Sequence, residues 1–179
     1  AYGKKMGIDV LFNTPIDIDG MRVSSSLVRR LLVTGDVSKA CQCLGRSFRI
    51  IGNVVHGFEE GRKMGFPTAN IVPICTEQLI PRTGAYAVSV SIDGGGNMPA
   101  MMNIGNNPTF QRNCQTLEAH IIGFGGDIYG HQISVDFIQR LRGEKRFESI
   151  DELMLQLHKD LNATKEILRN NGIELAKGK

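Results

Sequence analysis

Hydrophobic positions near the N-terminus follow two different periods. The apolar run Gly7–Phe12 ends at a proline turn, which predicts a short strand. Ser24–Ser26 then precede leucines and valines at helical spacing, and Thr34-Gly35 ends that pattern. A second helix is expected from the cap Asp36 to Leu44, just before a glycine. Residues 1–45 are therefore predicted to form a strand and two helices.

From Ser47 onward, apolar residues recur every second position, which is the period of strands. The glycines at 94–96 supply a hairpin turn between two of these alternating stretches. Strands are predicted in five places: Phe48–Val55, Tyr86–Ile92, Met98–Ile104, Thr116–Phe124 and Gln132–Leu141. Short strands with glycine-rich turns, and without alternating helices, favour an antiparallel barrel or sandwich.

The C-terminal segment returns to helical spacing. Ser149–Glu152 forms a capping box, and Asn171-Gly172 ends the helix. One apolar stripe follows the cap and consists of Ile150, Leu153, Met154, Leu157, Leu161 and Leu168. We expect this stripe to close one side of the barrel.

Composition narrows the class of protein. With 179 residues, of which 41% are apolar and 22% charged, the chain suits one soluble globular domain with a small appendage. No apolar run reaches the length of a membrane span, and the N-terminus lacks the apolar core of a signal peptide. We therefore expect a cytoplasmic location and no membrane partner.

The net charge and the cysteines exclude few partners. A formal charge of +3 suits an anionic small molecule, whereas nucleic-acid binding usually needs a denser basic stripe, so no nucleic-acid partner is expected. The four cysteines show no zinc-ligand spacing, which predicts free thiols.

Glycines recur at four-residue intervals between His56 and Asn70. Backbone amides at glycines can approach a ligand closely, and Arg62 with Lys63 would favour a polyphosphate. The spacing differs from that of a Walker-type loop, so an ordinary glycine-rich hairpin explains the pattern equally well.

The step Pro67-Thr68-Ala69-Asn70 places two oxygen-bearing side chains on one side of an extended chain. Thr68 and Asn70 are two residues apart, so the hydroxyl and the amide oxygen converge. Hard oxygen ligands of this kind suit Mg²⁺. Without further information, two residues that merely satisfy the backbone of a turn are the slightly better interpretation.

Glu118 lies in the middle of a predicted strand. Alternation places Glu118 and His120 on the face opposite Leu117, Ala119 and Ile121. Acidic residues are disfavoured in strands, so Glu118 is either an ion-paired surface carboxylate or a general base. His120 is more simply explained as a structural residue.

A cluster of charges, Arg140–Arg146, precedes Phe147 and the final helix. Such a cluster is usually a solvated loop, but basic groups beside an aromatic ring can also cover a planar ligand. The spacing leaves both possibilities open.

In order and interval, these segments resemble the riboflavin kinase domain of bacterial bifunctional riboflavin kinase/FMN adenylyltransferases (FAD synthetases). The resemblance covers the whole chain. It rests on Leu44-Gly45-Arg46, Gly65–Asn70, Asn103-Ile104-Gly105, Asn107–Phe110, Leu117–His120, Asp127–Gly130, and Leu141-Arg142 with Glu144 and Phe147.

The resemblance implies a mainly β fold, a six-stranded antiparallel Greek-key barrel with a C-terminal helix, at residues 46–175. It implies transfer of the γ-phosphate of ATP to riboflavin, with Glu118 as the base. Thr68 and Asn70 would hold Mg²⁺ and phosphates. ATP would contact Gly57, Lys63, Gly65, Pro67, Thr68 and Asn70, and the flavin would contact Arg142, Glu144 and Phe147.

Two departures from the family pattern stand out. Asn107 replaces an arginine that many members carry. Residues 1–45 resemble only the end of an FMN adenylyltransferase module, whose Ser-Ser-Thr-x-Ile-Arg motif appears as Ser24–Arg29. We therefore expect an upstream module in the complete protein and no FAD synthesis by this chain. A non-catalytic barrel that binds nucleotides or nucleic acid is the alternative.

Overall fold

The structure is a computed structural model that describes residues 6–9, 14–57, 61, 64–106 and 115–173. The N-terminal part contains a small hairpin, β1 (Asp17–Ile18) and β2 (Met21–Arg22), and two helices, α1 (Ser25–Thr34) and α2 (Val37–Leu44). The hairpin was not predicted from the sequence. Residues 7–9 of the predicted first strand form a turn and irregular chain, while residues 10–12 lie outside the described ranges.

Both N-terminal helices begin and end at the residues that the sequence indicated. The Ser24 hydroxyl accepts a hydrogen bond from the Leu27 amide, and the Asp36 carboxylate accepts one from the Lys39 amide. Each helix ends at a glycine in the left-handed region, Gly35 with φ 90° and Gly45 with φ 65°. The predicted pair of helices is confirmed.

Six strands form a closed antiparallel barrel in the order β3-β4-β7-β6-β5-β8. Their bounds are β3 Phe48–Val55, β4 Ala69–Pro73, β5 Gly84–Ile92, β6 Met98–Asn106, β7 Gln115–Ile121 and β8 Gln132–Arg142. Three consecutive strands pair as β5-β6-β7, and β8 returns to pair with β5, which is the Greek-key arrangement. The predicted fold class is confirmed.

The barrel interior holds the apolar residue of each alternating pair. Ile50, Tyr86, Val88, Ile133 and Phe137 are all fully buried in one cluster. The same cluster includes Leu32, Val37 and Ala40 of α1 and α2, so the N-terminal helices pack on the barrel and share its core. No helix within the described ranges is long and apolar enough to cross a membrane.

The final helix, α3 (Ile150–Asn170), lies across the outside of β5, β6 and β8. Small residues beneath it, Ala85 and Ala87, are buried although they alternate with the interior residues of β5. The expected apolar stripe is wrong at its first position, because Ile150 is 70% exposed. The most buried face of α3 consists of Asp160, Thr164 and Leu168, two of which are polar.

Candidate active site

Strand pairing places three polar side chains next to one another on the outside of the barrel. Glu118 of β7 lies directly opposite Asn70 of β4 and directly opposite Asn103 of β6. The neighbours Leu117 and Ala119 are buried in the interior, so Glu118 points away from it, as the alternation predicted. A carboxylate thus lies between two carboxamides in register.

Thr68 lies next to this row, immediately before β4. Its Oγ1 is 3.4 Å from Oε2 of Glu118, a long hydrogen bond. The structure therefore brings together two of the predicted site residues, Thr68 and Glu118, which are fifty positions apart in the sequence. Asn70 follows two residues later, opposite Glu118, on the same side of the chain.

The segment Gly65–Asn70 is held from both sides. Gly65 has φ +75°, which favours glycine, and the Phe66 ring is buried between the imidazoles of His120 and His158, each 5.2 Å from it between ring centroids. Nδ1 of His120 lies 2.9 Å from the Pro67 carbonyl oxygen, which accepts a hydrogen bond. These contacts fix the backbone that carries Thr68.

Gly57 packs directly against the Asn70 side chain. A Cβ atom at position 57 would lie 2.0 Å from Nδ2 of Asn70, so only glycine leaves room for that amide. Lys63, which was predicted to contact ATP, lies outside the described residues, and so does Asn107.

Two cavities meet at Thr68. One has a volume of about 300 Å³, and its lining includes Thr68, Glu118, Arg142, Glu144 and Phe147. The other, of about 430 Å³, is lined by Pro67, Thr68, Phe124, the glycines at 125–126 and Asp127–Tyr129 among others. The three residues predicted for the flavin line the first cavity. Of those predicted for the nucleotide, Pro67 and Thr68 line the second cavity, whereas Gly57, Gly65 and Asn70 do not.

Charged residues surround the aromatic ring of the first cavity. The guanidinium carbon of Arg142 is 5.7 Å from the centre of the Phe147 ring, and Nζ of Lys145 is 5.2 Å from it. Lys145 also binds Glu152 of α3 at 2.8 Å. This hydrogen bond, followed by one from the Glu148 amide, lowers the pKa of the Glu152 carboxyl.

Three residues that line this region were not predicted as site residues from the sequence. Asn103 and Asp160 line the first cavity, and so does His120, which also binds the Pro67 carbonyl. An exposed asparagine within a buried strand, Met98–Asn106, was a usable signal for Asn103. The sequence around Asp160 contains no comparable signal, because its partner Arg142 is 18 residues away.

Among the described residues, no three His, Cys, Asp or Glu side chains form a metal-binding cluster. The donors near Thr68 are instead a hydroxyl, a carboxamide and one carboxylate. This set suits Mg²⁺, which takes few protein ligands and completes its shell with phosphate and water. Cys41, Cys43 and Cys75 are free thiols, as expected, and Cys114 lies outside the described residues.

Comparison with known proteins assigns the barrel to a family. The family model described as Flavokinase: Riboflavin kinase matches residues 44–168, which span all six barrel strands and most of α3. The chain belongs to the riboflavin kinase family. The resemblance found in the sequence motifs is thereby confirmed.

The curated relatives of this riboflavin kinase family member are named for two activities, riboflavin kinase and FMN adenylyltransferase. The bifunctional riboflavin kinase/FMN adenylyltransferase of Haemophilus influenzae is 38% identical over 92% of this chain and 53% of its own length. The protein of the same name from Escherichia coli K12 is 40% identical over 88% of this chain and 50% of its own length. The chain thus spans about half the length of these relatives.

A solved structure shares the fold. A Streptococcus pneumoniae protein described as a macrolide-efflux protein matches with a TM-score of 0.80 and 34% identity, over 84% of this chain and 49% of that one. The likeness supports the arrangement of barrel and helices described above.

Proposed function

We propose that this chain transfers the γ-phosphate of ATP to the ribityl 5′-hydroxyl of riboflavin, which yields FMN and ADP. The observation that carries the proposal is the contact of 3.4 Å between Thr68 and Glu118 at the junction of two cavities. Membership of the riboflavin kinase family supports the choice of substrates.

Riboflavin is assigned to the cavity of about 300 Å³, whose lining includes Arg142, Glu144 and Phe147. An aromatic ring with two cations close to it suits a planar, electron-poor ring system. ATP is assigned to the adjoining cavity of about 430 Å³, which includes Pro67, Thr68 and a glycine pair. With this assignment, the reacting hydroxyl and the γ-phosphate meet beside Thr68.

Gly57, Lys63, Gly65 and Asn70 complete the proposed nucleotide side. Gly57 leaves space for the Asn70 amide, and Gly65 permits the turn that positions Thr68. Thr68 and Asn70 would hold Mg²⁺ together with the phosphates. When bound, the metal would neutralise charge on the transferred phosphoryl group.

Glu118 is proposed as the general base. Its carboxylate faces the flavin cavity and contacts Thr68, so it can accept the proton of the 5′-hydroxyl as that oxygen bonds to the γ-phosphorus. The bond between the γ-phosphorus and the bridging oxygen breaks, and ADP leaves with the electron pair. Asn70 and Asn103, opposite Glu118 on both neighbouring strands, keep the carboxylate in a polar surrounding.

The proposal also covers the division of the chain into domains, its upstream partner module and its location. Residues 1–45 are proposed as the end of an adenylyltransferase module, residues 46–175 as the kinase barrel, and an upstream module as a partner in the complete protein. The names of the relatives, with the chain spanning about half their length, support this division. A cytoplasmic location and the lack of a nucleic-acid partner stay predictions.

The decisive experiment is a turnover assay with the purified chain, riboflavin, ATP and Mg²⁺, in which FMN is separated by chromatography. We expect FMN and ADP in equal amounts. Folded protein that forms no FMN would refute the proposal. With FMN in place of riboflavin, we expect no FAD.

A further inference from the structure

One face of α3 presents polar residues to the segment that precedes it. Glu152, Gln156 and Asp160 are spaced four residues apart and therefore share this face. Asp160 is 5% exposed and is the one buried carboxylate in the part of the chain that the structure describes. A buried charge is unfavourable unless it is paired, so its partners define its role.

Both carboxylate oxygens of Asp160 are occupied. Oδ2 accepts a hydrogen bond from Nε of Arg142 at 2.9 Å and forms an ion pair with its Nη2 at 2.8 Å. Oδ1 accepts a hydrogen bond from Gln156 at 2.8 Å. The remaining nitrogen of Arg142, Nη1, donates to the Gly143 carbonyl at 3.1 Å. Every guanidinium nitrogen of Arg142 therefore already has an acceptor.

The same guanidinium lies beside the Phe147 ring, whose centre is 5.7 Å from the guanidinium carbon. Asp160, Arg142 and Phe147 all line the cavity that also contains Glu118. Lys145, the second cation at the Phe147 ring, is bound by Glu152 on the same helix. The ring is thus positioned by two cations, each held by a carboxylate of α3.

We propose that Asp160 is a positioning residue for riboflavin. It fixes Arg142 against Phe147 and so keeps the aromatic ring ready to contact the flavin before the flavin binds. This proposal rests on the proposed function, because it takes riboflavin as the occupant of the cavity. Preorganised contacts reduce the cost of ordering side chains on binding, so the effect is expected in riboflavin affinity.

The experiment compares three variants by riboflavin fluorescence titration and by steady-state kinetics. Asp160→Asn removes the charge while keeping the shape. Asp160→Asn/Arg142→Gln removes both charges and leaves no unpaired buried ion, so it keeps the test valid where the single variant fails to fold. The matched control is Asp136→Asn, because the Asp136 carboxylate accepts hydrogen bonds from Nε and Nη2 of Arg49 at 2.8 and 2.7 Å but lines neither cavity.

We expect the dissociation constant of riboflavin to rise about tenfold in both the single and the double variant. Both variants lose the ion pair between Asp160 and Arg142. The KM for ATP should stay within about twofold of the wild-type value, and the control should change neither constant. A folded single or double variant with unchanged riboflavin affinity, or with ATP and riboflavin constants that rise in parallel, would overturn the positioning role.

The wild-type chain separates the two proposals. If it binds riboflavin but forms no FMN, the kinase proposal fails, and the dissociation constants still decide the role of Asp160. If the folded chain does not bind riboflavin, both proposals are overturned.

Discussion

At the scale of single residues, no side chain of the site indicates a catalytic role when it is considered alone. Glu118 becomes a candidate base because β7 lies between β4 and β6, which place Asn70 and Asn103 on its two sides. Thr68 adds a hydroxyl from a loop held by Phe66 and His120. Each residue has an ordinary structural explanation alone, and their convergence supports a catalytic one.

The substitution Glu118→Gln tests the base. Glutamine has the same shape and can still accept the hydrogen bond from Thr68, but it cannot take up a proton at neutral pH. We expect kcat to fall by about 10²- to 10⁴-fold while both substrates still bind. Glu77→Gln, at an exposed carboxylate outside both cavities, should keep wild-type activity. Full activity of Glu118→Gln would exclude this role.

The substitution Gly57→Ala tests whether Asn70 contributes to nucleotide binding. The added methyl group would lie 2.0 Å from Nδ2 of Asn70, so the amide must move. Loss of one hydrogen bond to a charged ligand, about 1.5 kcal/mol, should raise the KM for ATP roughly tenfold. Gly96→Ala, where a Cβ meets no atom within 4 Å, is the control. Equal KM values for both variants would contradict the assignment.

At the scale of elements, α3 both covers the barrel and shapes the cavity. Leu153 and Leu157 line the cavity, while Leu168 is fully buried nearer the end of the helix. The same face of α3 also buries Thr164, whose Oγ1 lacks a hydrogen-bond partner. A buried hydroxyl without a partner reduces the stability of the fold.

We therefore expect Thr164→Val, which exchanges the hydroxyl for a methyl group of similar size, to raise the free energy of unfolding by about 1 kcal/mol. Urea unfolding should show a higher midpoint with an unchanged slope. Thr34→Val is the control, because the Thr34 hydroxyl donates to the Arg30 carbonyl at 3.0 Å and is exposed. A lower midpoint for Thr164→Val would mean that the hydroxyl is satisfied in solution.

At the scale of the whole molecule, the N-terminal helices and the barrel share one hydrophobic core. The Leu32 carbonyl accepts a hydrogen bond from the Arg82 amide, and the Ser38 hydroxyl donates to the Ile138 carbonyl. Cys41 bridges the Phe48 amide and the Phe137 carbonyl, and burial raises the pKa of its thiol. Side chains and backbone thus tie α1 and α2 to the barrel.

The substitution Leu32→Ala should therefore destabilise the whole molecule and not only the helices. Leu32 is 2% exposed, and truncation of such a leucine costs about 2–5 kcal/mol. We expect circular dichroism and tyrosine fluorescence to report one coincident transition at lower denaturant. Val33→Ala, at a residue 54% exposed, should change stability by less than about 0.5 kcal/mol. Separate transitions would show that the N-terminal helices unfold independently.

Local patterns alone were sufficient for most elements. Both N-terminal helices, the alternating strands and the cap of α3 depend on contacts between residues close in sequence, such as the hydrogen bond from the Glu152 amide to the Ser149 hydroxyl. The β7 prediction extended too far, since the strand ends at Ile121 and a turn follows. Strand β4 was not assigned from its pattern, since Ala69–Pro73 is short and ends in proline.

The sequence by itself predicted the family and, through that resemblance, the barrel and the site residues Thr68, Asn70 and Glu118. Its hydrophobic periods alone left a barrel and a sandwich open, because motifs and periods are local properties. Tertiary structure decided which of these residues meet. Strand register set Glu118 between two asparagines, and the path of α3 brought Asp160 to Arg142. The physical reason is that closing the barrel and docking a helix bring distant residues together, and no local spacing encodes those distances.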